Sequence, residues 1–211
     1  MDFELYQHKC TEEEINKNNR LKQRYEEFIN AIKEISDEDL MKDFEKRLKI
    51  HKNKNTAFKS IAPTINYLLK EKIKGISGWS AEVKIFKESS SDLKGKAWKL
   101  DFACEDGICV EVALNHGEAI AWNLLKPVLA CEPNKIKKHV QGKIGVYVCA
   151  TDKLKEAGNL DNACGSYEKV LTYLKPMAKH LTTPIIIIGL KKFESFEISW
   201  KAKEWPKISK K

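Results

Sequence analysis

The sequence predicts an α/β fold in which a mixed central β-sheet is flanked by helices and preceded by a helical N-terminal region. Two observations support this prediction. Between residues 11 and 75, apolar residues recur every three to four positions, which is typical of amphipathic helices. From residue 79 onward, short alternating or continuous apolar stretches are separated by helical patterns, which is typical of strands in a layered sheet.

The composition limits the kinds of protein this chain can be. Its 211 residues suffice for one domain with a sizeable core, and its 42% hydrophobic content excludes wholesale disorder. The formal net charge of +8 favours nucleic acid or another anionic partner, although a generally lysine-rich composition gives the same total. We predict one domain over residues 1–211, with a helical region at 1–75, the sheet-containing core at 76–200 and a basic tail at 201–211.

The sequence shows neither the layout of a targeting signal nor a C-x-x-C cysteine pair. No apolar run is long enough to cross a membrane, and residues 1–4 lack the basic and then apolar layout of a signal peptide. We therefore expect a cytoplasmic protein with no membrane partner. The six cysteines include no C-x-x-C pair, so we expect small buried thiols rather than zinc ligands or disulfides.

Three helices are predicted in the N-terminal region. Residues 11–35 open with a capping-box pattern and then place apolar residues on one face. Ser36 repeats the start signal for a shorter helix, and the basic run at 49–55 is predicted as a loop, either simply solvated or in contact with phosphate. Pro63 suits the first turn of a third helix, which Gly75 ends.

The central feature of the sequence is a predicted antiparallel hairpin. Apolar and polar residues alternate in residues 98–102 and again in residues 108–116, and the turn-forming residues 104–107 separate the two runs. The alternation places Asp101 and Glu111 on the face away from the predicted core. Each of two neighbouring strands therefore offers one carboxylate.

The remaining elements complete the sheet and its flanking helices. Pro176 falls inside the last helical pattern, so a kink or break is expected there. We predict strands at residues 79–86, 144–150 and 184–190, a possible edge strand at 198–200, and helices at 118–131 and 167–181.

The spacing of the two carboxylates matches a nuclease pattern, commonly written PD-(D/E)-x-K. In that pattern, two carboxylates from neighbouring strands hold Mg²⁺ against a phosphate oxygen, and a third polar side chain places the attacking water. Asp101 and Glu111 have this spacing. An Asp and a Glu on a hairpin are also common as solvent-facing strand residues, so the spacing alone leaves both interpretations open.

A wider resemblance favours the nuclease interpretation. The hairpin, with Asp101, Phe102, Asp106, Glu111 and Val112, resembles the active-site hairpin of the BglII/BstYI group of type II restriction endonucleases. This is a BamHI-like group in the PD-(D/E)xK nuclease superfamily. The resemblance extends in order over roughly residues 60–190. The matching stretches before the hairpin are 63–66, 69–72 and 78–79, and those after it are 144–148, 166–168 and 184–190.

The resemblance implies a restriction-endonuclease-like core and a Mg²⁺-dependent type II site-specific deoxyribonuclease of a restriction-modification system. It further implies a homodimer that binds double-stranded DNA and cuts a short palindrome containing GATC. The implied catalytic positions are Asp101, Glu111 and Ala113, and the implied metal ligands are Asp101, Glu111 and the Val112 main-chain carbonyl. The implied DNA-binding residues are Asn66, Asn115, His116, Asn123 and Lys126.

Position 113 departs from the family pattern. Ala113 stands where the family has Gln, Glu or Lys, and a methyl group can neither bind a metal nor position a water. Three explanations are open: another side chain such as Lys99 or Asn115 takes over, the chain is a variant inactivated at Ala113, or it is a catalytically inactive DNA-binding protein. A DNA-repair nuclease of the same superfamily is a further alternative. The intact remainder of the pattern favours a compensated or inactivated nuclease.

Overall fold

The computed structural model describes residues 1–9, 11–87, 98–114, 119–133, 136–201 and 204–211. Its centre is a mixed six-stranded sheet with the strand order β1-β6-β5-β4-β3-β2. The strands β2, β3 and β4 pair antiparallel, β4, β5 and β6 pair parallel, and β1 is antiparallel to β6. This arrangement confirms the predicted fold class. The strands are β1 (Phe3–His8), β2 (Trp79–Lys84), β3 (Lys99–Cys104), β4 (Ile108–Ala113), β5 (Ile144–Ala150) and β6 (Ile185–Leu190).

Helices cover both faces of this sheet. The larger core cluster joins α2, α3, α4 and α6 to one face, and the second cluster joins α5 and α7 to the other. The strands β4, β5 and β6 are consequently buried on both faces, which explains their nearly continuous apolar sequences. The helices are α1 (Thr11–Asn16), α2 (Asn19–Lys33), α3 (Asp37–Asn53), α4 (Ala62–Lys74), α5 (Ile120–Cys131), α6 (Asp152–Ala157) and α7 (Tyr167–Met177).

Two predicted helix boundaries differ from those in the structure. The single helix predicted over residues 11–35 is divided at Asn18, whose side chain caps α2 by accepting hydrogen bonds from the Arg20 and Leu21 N–H groups. The predicted loop at 49–55 is mostly helical, because α3 continues until Asn55 adopts a positive φ of 49°. Lysine and histidine are compatible with a helix, so polarity alone did not mark its end.

The two ends of the chain contain strands that the sequence patterns did not predict. β1 lies inside the region predicted as helical, residues 1–75, ahead of its first predicted helix, and pairs with β6 from Phe3↔Leu190 to His8↔Ile185. Near the other end, β7 (Phe196–Ser199) and β8 (Lys207–Lys210) form a separate antiparallel ribbon. The predicted edge strand at 198–200 thus belongs to that ribbon, and part of the predicted basic tail is β8. β1 and β8 are mostly exposed, so they lack strong apolar alternation.

Two simpler expectations can be checked on the described residues. None of the described helices combines the length and apolar character needed to span a bilayer. The described cysteines are buried free thiols, as predicted, and Cys10 lies outside the described residues. They are Cys104, Cys109, Cys131, Cys149 and Cys164.

Candidate active site

The predicted hairpin is present, and its two strands part at the candidate site. Within residues 98–114, β3 and β4 pair only at Phe102↔Val110 and Ala103↔Cys109. Beyond these pairs, the Asp101 Oδ2 atom accepts a hydrogen bond from the Val112 N–H at 2.7 Å. A side-chain carboxylate thus takes the position that a strand carbonyl would occupy in a continuous ladder. We call this opening between β3 and β4 the fork.

Both carboxylates of the fork are desolvated. Glu111 is 6% exposed, and burial, followed by the nearby charge of Asp101, raises its pKa to about 7. Burial also raises the pKa of Asp101, although the hydrogen bond from Val112 opposes this shift. A desolvated carboxylate whose charge is disfavoured by a second carboxylate is often found at a functional site, where a cation can stabilise the charged forms.

The burial of Glu111 differs from the sequence prediction. The alternation placed Asp101 and Glu111 on a face away from the core, but α5 packs on the Glu111 side of β4 and covers it. The physical reason is that β4 is a central strand with helices on both faces. The two carboxylates do lie on adjacent strands, as predicted. The prediction that Glu111 lies on a face away from the core was wrong.

Two buried acceptor atoms near the fork have no hydrogen-bond partner among the described residues. They are Glu111 Oε2 and Asn66 Oδ1. Buried polar atoms in folded proteins are nearly always paired, so an unpaired acceptor indicates a missing donor or cation. The predicted site residues Glu111 and Asn66 therefore both have free acceptor capacity inside the protein.

A cavity of about 330 Å³ opens on the Asp101 side of the fork. Its lining includes Asp101 and Val112 from the hairpin, Asn66 and Lys70 from α4, and Arg47 from α3. Arg47 is ion-paired with Asp43, and Lys70 is ion-paired with Glu82, which also lines the cavity, so the cavity has a mixed charge. The sequence analysis did not identify Lys70 or Arg47 as functional, because their approach to the cavity depends on how α3 and α4 pack.

Lys126 reaches the fork from the opposite side. Its ammonium group contacts Glu111 Oε1 and lies 3.4 Å from the Lys99 carbonyl oxygen, and the residue is only 9% exposed. The sequence analysis placed Lys126 on a DNA-facing surface, whereas the structure places it inside, on a carboxylate. The available signal was that Lys126 is the one charged residue of α5.

The other predicted residues of this region have different surroundings. Asn123 is 8% exposed and forms a hydrogen bond with the buried Tyr147, so it too lies inside the protein. Ala113 is 6% exposed and packs in an apolar cluster. Asn115 and His116 lie outside the described residues. The structure therefore brings Asp101, Val112 and Asn66 to the cavity on one side of the fork, and Glu111 and Lys126 together on the other side.

Comparisons with known proteins match this fold. A family model described as restriction endonuclease BglII/BglIII matches residues 3–190. A crystal structure of BglII complexed with a DNA 16-mer is 17% identical, with a TM-score of 0.64 over 94% of this chain and 80% of that chain. A crystal structure of free BglII is 16% identical, with a TM-score of 0.55 over 100% of this chain and 91% of that chain. Among curated proteins, the sequence has no significant match.

The fold and the family match define the class of protein. The protein is a type II restriction endonuclease, which is a site-specific deoxyribonuclease. The chain belongs to the BglII/BglIII restriction endonuclease family. The resemblance seen over roughly residues 60–190 is thereby confirmed, and the family match extends to the N-terminal strand and helices.

Proposed function

We propose that this enzyme hydrolyses phosphodiester bonds in duplex DNA with Mg²⁺ held by Asp101 and Glu111, as a member of the PD-(D/E)xK superfamily. The observation that carries the proposal is the fork, where two desolvated carboxylates lie on adjacent strands and Glu111 Oε2 has no hydrogen-bond partner among the described residues. Duplex DNA as substrate is supported by the family and by the similar BglII structure that contains a DNA 16-mer.

The residues at the fork fit a hard divalent cation. Mg²⁺ prefers oxygen ligands, and Asp101, Glu111 and the Val112 carbonyl would supply them. The described residues contain no cluster of three or more His, Cys, Asp or Glu side chains, so the remaining ligands would be waters and phosphate oxygens, as is usual for Mg²⁺. When bound, the ion would polarise the phosphate and favour deprotonation of a coordinated water.

The protein's own groups would position the DNA backbone and the carboxylates. The Val112 N–H holds the Asp101 carboxylate in one orientation, so that little reorganisation is needed on binding. Arg47 and Lys70 line the cavity next to Asp101, where they would contact a phosphate by exchanging their present partners Asp43 and Glu82 for it. The unpaired Asn66 Oδ1 atom would accept a hydrogen bond from an ordered water beside that phosphate.

We further propose that the active enzyme is a cytoplasmic homodimer that cuts a short palindrome containing GATC. A palindromic duplex has a two-fold axis, and an isologous dimer presents one active site to each strand. The GATC element comes from the family resemblance alone.

A cleavage assay tests the metal and the carboxylates together. Plasmid and genomic DNA are incubated with the wild-type protein in Mg²⁺ or in EDTA, and with Asp101→Asn. We expect discrete fragments only with wild-type protein and Mg²⁺, with a loss of about 10³-fold or more in Asp101→Asn, because one metal ligand loses its charge. The control is Asp152→Asn, an exposed carboxylate on α6, which should cut normally.

Other outcomes would favour the alternatives considered from the sequence. DNA binding without cleavage in Mg²⁺ or Mn²⁺ would indicate a catalytically inactive DNA-binding protein. A smear of products, or cleavage that requires a nick or mismatch, would indicate a repair nuclease. Cleavage that persists in EDTA would refute the metal site.

A further inference from the structure

The fork lacks a third polar side chain from β4. The family pattern places Gln, Glu or Lys two positions after the second carboxylate, but this position holds Ala113, whose methyl group packs against apolar neighbours. A water beside Asp101 and Glu111 would therefore have no donor from β4 to orient it.

Lys126 occupies the corresponding space from another element. Its Nζ atom lies against Glu111 Oε1, and Glu111 and Ala113 are two residues apart on β4, so their side chains share one face of the strand. Lys126 is therefore delivered by α5 to the same face that a residue at position 113 would use.

The hydrogen bonds of Lys126 leave capacity for a ligand. An ammonium group has three N–H donors. Among the described residues, its acceptors are Glu111 Oε1 and the more distant Lys99 carbonyl oxygen at 3.4 Å. A third donor remains for a water or a phosphate oxygen at the fork.

Stability alone gives a weak reason to place a lysine here. All other members of α5 are uncharged, and the helix is buried over much of its surface. Taking a lysine and a carboxylate out of water is costly, and an apolar pair of the same volume often stabilises the fold as well or better. A buried pair at the fork is better explained by the chemistry of the site.

We propose that Lys126 is the third catalytic residue of this enzyme, replacing from α5 the side chain that Ala113 lacks on β4. This inference rests on the proposed function of the fork. In the hydrolysis, the water oxygen forms the new bond to phosphorus, and the bond from phosphorus to the 3′ oxygen breaks. The water releases its proton to solvent, and the 3′ oxygen takes one from solvent. Lys126 keeps its protons, orients the attacking water and stabilises the negative charge that develops on the phosphate oxygens.

The first test is Lys126→Met, which keeps the length of the side chain and removes its charge. Single-turnover cleavage of plasmid DNA in Mg²⁺ should slow by about 10²–10³-fold, the usual cost of losing one charge-stabilising donor. DNA binding in Ca²⁺, measured by gel shift, should stay within about threefold of wild type. A purely structural ion pair would not separate cleavage from binding in this way.

The matched control is Lys138→Met. Lys138 follows α5 in sequence and is partly buried, and its ammonium group donates to the Ala130 carbonyl at 3.2 Å near the C-terminal end of α5 rather than to a fork carboxylate. Its loss should lower the melting temperature and leave the cleavage rate of the folded protein unchanged.

The second test moves the lysine back to the strand. Lys126→Met combined with Ala113→Lys should recover at least tenfold of the lost cleavage rate, because the charge returns to the same face of the fork. If Lys126→Met alone does not fold, this double variant provides the test of the inference. A folded double variant that is inactive would overturn the inference.

The outcomes separate this inference from the proposed function. If wild type cuts in Mg²⁺ and Lys126→Met cuts within about threefold of it, Lys126 is not catalytic while the nuclease proposal survives. If wild type cuts nothing in Mg²⁺ or Mn²⁺, both fail. Both the nuclease proposal and the role of Lys126 are supported if Lys126→Met cuts slowly but still binds DNA, and if adding Ala113→Lys restores cleavage.

Discussion

Asp101 has two roles in the fork that conflict in the absence of a cation. Its carboxylate accepts the Val112 N–H, which fixes the opening between β3 and β4, and it also adds negative charge beside Glu111. Burial raises the pKa of Asp101, so the folded protein binds that proton more tightly than the unfolded chain does. The ionised carboxylate therefore reduces the stability of the metal-free protein.

Asp101→Asn should consequently stabilise the metal-free protein. A group whose pKa is raised on folding loses stability as the pH rises above its unfolded value, so the variant should melt at a higher temperature than wild type at pH 8. The difference should shrink as the pH falls towards about 3, where the unfolded carboxylate is itself largely protonated. Circular dichroism melts in EDTA measure this, and a lower melting temperature for Asp101→Asn at pH 8 would contradict it.

The residues of the fork were predictable from the sequence to different degrees. Asp101 and Glu111 followed from strand alternation and the family pattern, which depend on local spacing. The contact of Lys126 with Glu111 was not predictable in that way, because it depends on how α5 rotates and packs over β4. One charged side chain in an otherwise apolar helix indicates that this side chain has a partner inside the protein, but the sequence does not identify that partner.

Among the elements, α2 secures the turn of the hairpin. Arg24 donates to Asp106 Oδ2 at 2.7 Å, to Glu27 Oε2 at 3.0 Å and to the Ser77 carbonyl at 2.6 Å. These contacts raise the pKa of Arg24, chiefly through Asp106 and Glu27. Gly78 allows the close approach, since a Cβ there would lie 2.4 Å from the Arg24 side chain. Asp106, which belongs to the sequence resemblance, is thus a structural residue of the turn.

Arg24→Met should destabilise the protein by about 3 kcal/mol, because it leaves two partly buried carboxylates without their cation. Urea denaturation followed by tryptophan fluorescence measures the change. Arg20→Met is the matched control on the same helix: Arg20 is 84% exposed and lies 3.8 Å from Asp106, so its loss should cost less than about 1 kcal/mol. If the two variants lose equal amounts of unfolding free energy, Arg24 does not secure the turn.

The position of α5 on the sheet is set by close packing at Gly145. A Cβ at this position would lie 2.7 Å from the Pro127 side chain, next to Lys126 in sequence. Gly145→Ala should therefore push α5 away from β5, cost about 1–3 kcal/mol and slow cleavage by the folded protein. The melting temperature and the cleavage rate are measured together.

Gly189→Ala provides the comparison for that prediction. It creates a similar clash, with a Cβ 2.5 Å from the Tyr167 ring, but it does so under α7 rather than α5. We expect a comparable loss of stability and no effect on cleavage by the folded fraction. If both glycine variants lose activity in proportion to stability alone, α5 does not position the site.

At the scale of the whole molecule, the proposed homodimer has a direct test. Light scattering coupled to size exclusion should give twice the 24.2 kDa mass of the chain, because a palindromic site needs two symmetric active sites. Adding a duplex that contains the site should yield one DNA per two chains. A monomer both with and without DNA would refute the dimer.

The overall architecture was predicted better than its edges. The central strands and the helices α4, α5 and α7 have strong apolar periodicity, and all were predicted at close to their observed positions. β1 and β8 were missed because an edge strand is held mainly by backbone hydrogen bonds, which leave little trace in side-chain pattern. Their pairing partners are apparent only once the rest of the sheet is in place.

The pairing of β1 with β6 has a consequence for synthesis of the enzyme. The partners Phe3 and Leu190 are far apart in sequence, so the first strand of the described sheet pairs with the last strand of that sheet to be made. Such distant pairing is slow, because the chain must lose the entropy of closing a long loop before the strand contacts contribute any stability. β1 can therefore pair only after β6 has been synthesised, and the described sheet is completed at that point.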